Sequence, residues 1–262
     1  MSAAIIGALF ALSFVQQTDT LIAVDGATGL DVESRGGRIS VTTWDRPEIR
    51  IRADHSRRAS IVDFDITVPS SLNLSLEGWS TDVTVEGSNG DIDVETFEGD
   101  ITISGGNGSV TAETVAGEIR VDGANGVIEA NSVAEDVRVS NSSGEIYVET
   151  VGGSIILEGL SATVVEAGSV GGRVSFEGAV VDGGEYLFVS HGGTVSITIP
   201  EASNASVTFA SLHGNISSDF PGTPDLERGA RNTFTIGSAG AHIEAETFGG
   251  RIVLRRGTAG GR

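Results

Sequence analysis

The sequence predicts an all-β chain folded as a single parallel β-helix, a β-solenoid with about 18 to 21 residues per coil. Three observations predict it. Residues 82 to 153 fall into consecutive blocks of nine: DVTVEGSNG, DIDVETFEG, DITISGGNG, SVTAETVAG, EIRVDGANG, VIEANSVAE, DVRVSNSSG and EIYVETVGG. Positions two and four of nearly every block are apolar and their neighbours mostly polar, the period-two signature of a strand with one buried face. Odd and even blocks close on different corners, so the true repeat is eighteen residues.

Residues 1 to 17 open the chain with its one continuous apolar run, Ala3 to Val15. The run is short of the roughly 20 residues that cross a bilayer, and Ala11-Leu12-Ser13 places small residues at a signal-peptidase spacing. A secretion signal is expected here, although no Lys or Arg precedes Arg35. Residues 18 to 256 form one solenoid domain. Within it, residues 18 to 80 carry the turn signal Asp45-Arg46-Pro47 and the irregular stretch Pro69 to Trp79, and are expected to form a cap and first coils with room for antiparallel pairing.

In the regular coils, 82 to 153, Val83 and Val85, Ile92 and Val94, Ile101 and Ile103, and Ile119 and Val121 point inward. The even blocks add Phe97, Val115, Val133 and Val151 as a bulky corner core, where the odd blocks place Ser88, Gly106, Ala124 and Ser142. Gly at positions six and nine is expected to supply positive φ at the bends. Coils stacked about 4.8 Å apart bring Asn89, Asn107 and Asn125 into one ladder, and Thr96, Thr114, Ser132 and Thr150 into another. An isolated coil buries too little to offset its ordering entropy, so stability must come from stacking. From 154 to 256 the corner [T/S]-x-x-G, or a close variant, returns at wider spacing, ending at Gly172, Gly193, Gly214 and Gly250, which predicts longer coils stacked in chain order. Residues 257 to 262 read as a flexible tail.

Composition excludes several functions. The net charge is −20, which disfavours nucleic acid and anionic lipid as partners. All sixteen basic residues are Arg. Without Cys the chain has no disulfide framework, thiol nucleophile or lipid-anchor cysteine. No segment after the signal has the length of a transmembrane helix, so the mature product is expected to be secreted or periplasmic and not to span a membrane. Strands of about five residues, with two Trp and two Tyr in the chain, do not suit a transmembrane barrel. Gly105-Gly106-Asn107-Gly108-Ser109 starts like a calcium-roll repeat, but Val110 stands where the ligand Asp belongs.

The C-terminal half reads VSHGGTVSITIPEASNASVTFASLHGNISSDFPG and then IGSAGAHIEAETFGGRIVLRR, and the N-terminal part contains VESRGGRISVTTWDRPEIRIRA. This wording resembles bacterial β-strand-repeat proteins of unknown function that are commonly labelled adhesin candidates. The resemblance covers nearly the whole mature chain and rests on strand and turn residues. It implies an exported β-solenoid and brings no catalytic residues with it. Related genes often accompany envelope-stress regulators, which suggests a second reading as an accessory of an envelope-stress or anti-sigma system.

Outward acids stack in columns, Asp82, Asp100, Glu118 and Asp136 in one and Glu95, Glu113 and Glu149 in another. Neighbouring charges 4.8 Å apart repel by about 1 kcal/mol in water, which Arg120 and Arg138 relieve on the diagonal or a divalent cation relieves by bridging Asp82, Asp100, Glu118 and Asp136. A polysaccharide lyase or glycosidase would draw on Asp91, Asp93, Asp100 and Arg120. His191 and His213 occupy comparable corners and are expected to bond their own turns rather than hold a metal. Arg251, Arg255 and Arg256 are expected to cap the last strand. The reading is a non-enzymatic surface or adhesion-type protein without cofactor, whose polar strand faces meet a glycan, an envelope component or another protein.

Overall fold

The computed structural model describes residues 17–24, 26–55, 61–221, 229 and 231–257. The signal expected at 1 to 17 lies outside them except for Gln17, which opens a strand, and the tail expected at 257 to 262 lies outside them except for Gly257, which closes one. Among the described residues there is no helix, and so none long and apolar enough to cross a membrane. The twenty-one strands among the described residues are mostly parallel in their pairing. The chain packs as two compact units that divide between Gly126 and Val127.

The first unit contains β1 (Gln17–Ala23), β2 (Gly29–Trp44), β3 (Glu48–His55), β4 (Val62–Pro69), β5 (Asn73–Glu86), β6 (Ile92–Glu98), β7 (Ile101–Ser104), β8 (Val110–Ala116) and β9 (Ile119–Asp122). Two parallel strips run through it with an eighteen-residue offset. Leu74 faces Ile92, which faces Val110, and Val83 faces Ile101, which faces Ile119. Alternation sets the core: Ile92, Val94, Ile101, Ile103, Val110, Ile119 and Val121 are buried, each worth about 1.5 to 3 kcal/mol on leaving water. Residues 17 to 69 break the pattern. β1 pairs antiparallel with β3 and β3 antiparallel with β4, while β4 rejoins β2 in parallel, so the stretch between β2 and β5 forms a lateral extension. Asp19 clamps it, accepting from Arg50 Nε at 2.9 Å and Arg50 Nη2 at 2.6 Å, and these bonds hold its carboxyl down at about 2.

The second unit contains β10 (Asn125–Ser132) from Val127 on, β11 (Val137–Ser140), β12 (Ser143–Thr150), β13 (Ile155–Ser169), β14 (Val174–Gly178), β15 (Glu185–Ser190), β16 (Val195–Pro200), β17 (Ala205–Ser211), β18 (Ile216–Ser218), β19 (Arg231–Ile236), β20 (Ala241–Thr247) and β21 (Ile252–Gly257). Its longer repeats hold larger side chains. Phe176 packs 5.2 Å from Phe188 and 5.8 Å from Tyr186, centroid to centroid. The Tyr186 hydroxyl donates to Ala162 O at 2.8 Å and accepts from Val181 N at 2.9 Å. Burial raises its pKa above the ordinary tyrosine value.

The expectation that repeats stack in chain order is corrected here. β15 pairs with β20 and β20 with β17, while β16 pairs with β21 and β21 with β18. The last two strands therefore insert between two earlier repeats. β19, antiparallel to β17 along Ala205 to Ala210, reverses the chain and lets β20 return on the other side of β17.

Candidate functional site

Each repeat turns its even corner on the Thr/Ser of [T/S]-x-x-G, and this decides which side chains are free to act. Ser169 Oγ accepts from Gly172 N and donates to Gly153 O, both at 2.9 Å. Ser190 does the same with Gly193 N and Gly172 O, also at 2.9 Å. Thr96 Oγ1 lies 2.9 Å from Thr114 Oγ1 and 3.2 Å from Gly99 O, and Thr150 Oγ1 donates to Glu135 O at 3.2 Å. These hydroxyls are buried because the corner's peptide groups need partners that solvent cannot reach.

The bulky corner core expected at Phe97, Val115, Val133 and Val151 is therefore corrected: all four are exposed, by 41%, 39%, 49% and 51%. Strict alternation from Ile92 and Val94 puts Thr96 inside and Phe97 outside. The odd corners do hold small interior residues, with Ser88, Gly106, Ala124 and Ser142 buried. Glycine has two different reasons here. Gly87, Gly105 and Gly123 adopt φ of 76°, 82° and 71°, as position six was expected to. At position nine Gly99, Gly126 and Gly144 do so too, at 141°, 146° and 106°, whereas Gly90, Gly108, Gly117 and Gly153 do not. Gly172, Gly193 and Gly250, which close the same corner in the longer repeats, are constrained sterically instead; a Cβ on them would sit 1.8, 1.8 and 1.6 Å from a carbonyl oxygen of the adjacent repeat.

The outward polar columns are largely structural. Asp100 N donates to Asp82 Oδ1 at 3.0 Å, Glu118 N to Asp100 Oδ1 at 2.8 Å and Ser154 N to Asp136 Oδ1 at 2.7 Å. Backbone N–H groups thus relieve Asp82, Asp100 and Asp136, and Arg120 relieves Glu118, the four carboxylates that were candidates for a bridging cation. No group of three or more His, Asp or Glu among the described residues is arranged to hold a metal ion. Asn107 Nδ2 donates to Asn89 Oδ1 at 2.5 Å, and Asn125 N donates to Gly106 O at 2.7 Å. Asp91 Oδ1 accepts from Ser109 N at 3.0 Å, and Arg120 pairs with Glu118.

One concavity lies in the second unit, at the corner shared by the inserted repeat. Phe248 lines it. His191 stacks on the ring at 4.8 Å and 7°, and His213 meets it edge-on at 5.3 Å and 88°. The two histidines that looked like neighbours in sequence are thus separated by an aromatic from the inserted strands. Val189, Leu212, Arg231 and Glu246 complete a cleft of about 390 Å³. Arg231 reaches over Ala210 to donate to Glu246 Oε1 at 2.6 Å. It also stands 2.6 Å from Glu244 Oε1, an ionic contact without hydrogen-bond alignment. Sequence reasoning missed this cleft, because Phe248 reaches His191 only through the non-sequential strand order.

Fold and surface together define an all-β repeat protein whose interior is spent on structure and whose chemistry faces outward. The chain belongs to the Toastrack DUF4097 family, whose model matches residues 24–255. It is similar to an adhesin candidate of known structure from Bacteroides fragilis, at 14% identity and a TM-score of 0.39 over 91% of this chain and 96% of that one. It is also similar to a cell-adhesion candidate from Clostridium sporogenes, at 8% identity and a TM-score of 0.23 over 92% and 99%. No curated protein matches.

Proposed function

We propose that the chain is an exported, non-enzymatic β-solenoid of the cell envelope that binds glycans through its outward strand faces, with the Phe248 cleft as the main seat. The observation that carries this reading is the cleft's composition. A sugar ring has an apolar face and a hydroxylated edge; Phe248 with its stacked His191 offers a platform for the first, and the Arg231–Glu246 pair offers a donor and acceptor for the second. The parallel eighteen-residue registers support the solenoid, and the apolar run Ala3 to Val15 supports export. The non-enzymatic reading is supported by the occupation of two of the three acids, and of the arginine, that catalysis would draw on. Asp91 and Asp100 accept backbone hydrogen bonds, and Arg120 is paired.

A glycan screen of the full chain, followed by calorimetry on hits with the wild type and Phe248→Ala, tests the reading. Loss of the ring is expected to weaken binding roughly tenfold, the value of one stacking contact of about 1 to 1.5 kcal/mol. A wild-type chain that binds no glycan, or a variant that binds as tightly as the wild type, would sink it.

A further inference from the structure

One row of outward positions changes character inside the second unit. Parallel ladder bonds place Ser154, Arg173, Thr194, Arg251 and Asn215 side by side: Ile155 N donates to Arg173 O, Val174 N to Thr194 O, Val195 N to Arg251 O and Ile252 N to Asn215 O, all at 2.8 to 3.0 Å. Arg255 lies four residues along β21, on the same outward face as Arg251 and Val253. These three arginines, with Ser175, Thr194, Ser196 and Val253, line a concavity of about 300 Å³.

The arginines have no structural task in this row. Asp136 Oδ1 accepts from Ser154 N, and Ser154 Oγ accepts from Arg173 N at 3.4 Å; a guanidinium has no acceptor, so this series of side-chain bonds stops at Arg173. Nor are they neutralised. Among the described residues seven arginines hold a carboxylate within 4 Å and Arg46 lies over Trp44, which leaves Arg35, Arg173, Arg251 and Arg255. Three of those four stand together on this face, in a chain of net charge −20 with acids to spare. The half-buried hydroxyls of Ser175, Thr194 and Ser196 between them also have no hydrogen-bond partner among the described residues.

We infer that the Arg173–Arg251–Arg255 face is an anion-binding site that seats the carboxylate or sulfate groups of an acidic polysaccharide. The inference rests on the glycan reading and names the charge class of the ligand. A guanidinium fork pairs two N–H groups with two oxygens of a carboxylate or a sulfate, and the hydroxyls between the arginines supply further donors. Arg173 and Arg251 are two strands apart, about 9.6 Å at the strand spacing, on the order of the disaccharide repeat of an extended chain. The surrounding charge selects against denser polyanions. Glu177 and Thr198 stand in register with Arg255, and Asp219 follows the Ser218–Leu254 pair at the opposite side. A duplex or an anionic bilayer would bring many charges against this acidic surround, whereas a polysaccharide brings isolated ones separated by neutral sugar.

The test compares the full chain with Arg173→Ser/Arg251→Ser, which copies the serine that Ser154 supplies in the same row, and with Arg173→Lys/Arg251→Lys. Binding is measured to polygalacturonate, dextran sulfate, a neutral glycan from the screen, and vesicles containing phosphatidylglycerol. The wild type is expected to bind the acidic polysaccharides with an affinity that falls as salt rises. The serine variant is expected to lose roughly tenfold per arginine while keeping its thermal midpoint and its neutral-glycan binding, and the lysine variant to keep much of the acidic binding. Equal affinity of the serine variant and wild type, or binding to the vesicles alone, overturns the inference. Binding to neutral glycans without any to acidic ones overturns it and leaves the glycan reading standing; binding to no glycan overturns both.

Discussion

The same repeat position does opposite work in the two units. In the first it holds Asp82, Asp100 and Glu118, and each aspartate gives a carboxylate oxygen to the backbone N–H eighteen residues on. In the second it passes through Asp136 and Ser154 to Arg173, Thr194 and Arg251, where acceptors give way to donors that hold no side-chain partner among the described residues. A solvent-exposed row can make this exchange cheaply, because water replaces the lost acceptor and the ladder beneath is unchanged. In such a repeat a position leaves its structural role when its side chain no longer bonds its neighbour, and only then is it available to a ligand.

The largest effect should come from breaking the basic row at its source. Arg251 enters the row only because β20 and β21 insert beside β15 and β16, and Gly250 is the point of closest approach. Its φ is not in the left-handed region, so the constraint is steric: a Cβ would lie 1.6 Å from Gly193 O and 2.6 Å from Gly193 C. Gly250→Ala should cost about 3 kcal/mol or more in a urea melt, since backbone must move. Gly249→Ala, whose Cβ meets nothing within 4 Å, should leave the midpoint in place. Equal midpoints for the two variants would mean that the inserted repeat is not seated as described.

The two rows were unequally legible in the sequence. Asp82, Asp100 and Glu118 recur at a fixed eighteen residues, and the strands that carry them pair at that same offset. Arg173 and Arg251 share no local pattern. They meet because β19 turns the chain back, an event decided by antiparallel pairing between Ala205 and Ile236 and not by any periodicity around the arginines. The corners show a different gap. The alternation that placed Ile92 and Val94 inside also places Thr96 inside and Phe97 outside, but apolarity argued the reverse, because a hydroxyl's value in a bend is invisible until the peptide groups it serves are known.

The corner supplies the next largest effect and extends the contrast between built and released side chains to adjacent residues. Ser169 is 4% exposed and serves two peptide groups, whereas Val170 is 53% exposed. Ser169→Ala should cost about 2 kcal/mol by leaving Gly172 N and Gly153 O unpaired, and Val170→Ser less than about 0.5 kcal/mol. Thermal melts followed by circular dichroism separate these outcomes, and a larger loss for the valine would restore the apolar corner core.

The smallest effect is the most direct test of the exchange between rows. Asp100→Arg imposes the second unit's chemistry on the first. It removes the acceptor of Glu118 N, and because the site is exposed the cost should be about 0.5 to 1 kcal/mol. Arg173→Asp is the reverse. An aspartate there would stand toward Thr194 as Asp82 stands toward Asp100, with a carboxylate oxygen offered to the next backbone N–H. Stability should hold or rise by about 0.5 kcal/mol, while binding of acidic polysaccharide falls. Urea melts of both variants beside a binding assay read the two quantities separately. If Arg173→Asp lost stability and kept its binding, the arginine would be a structural member of its row, and the contrast between the rows would be one of charge without a change of role.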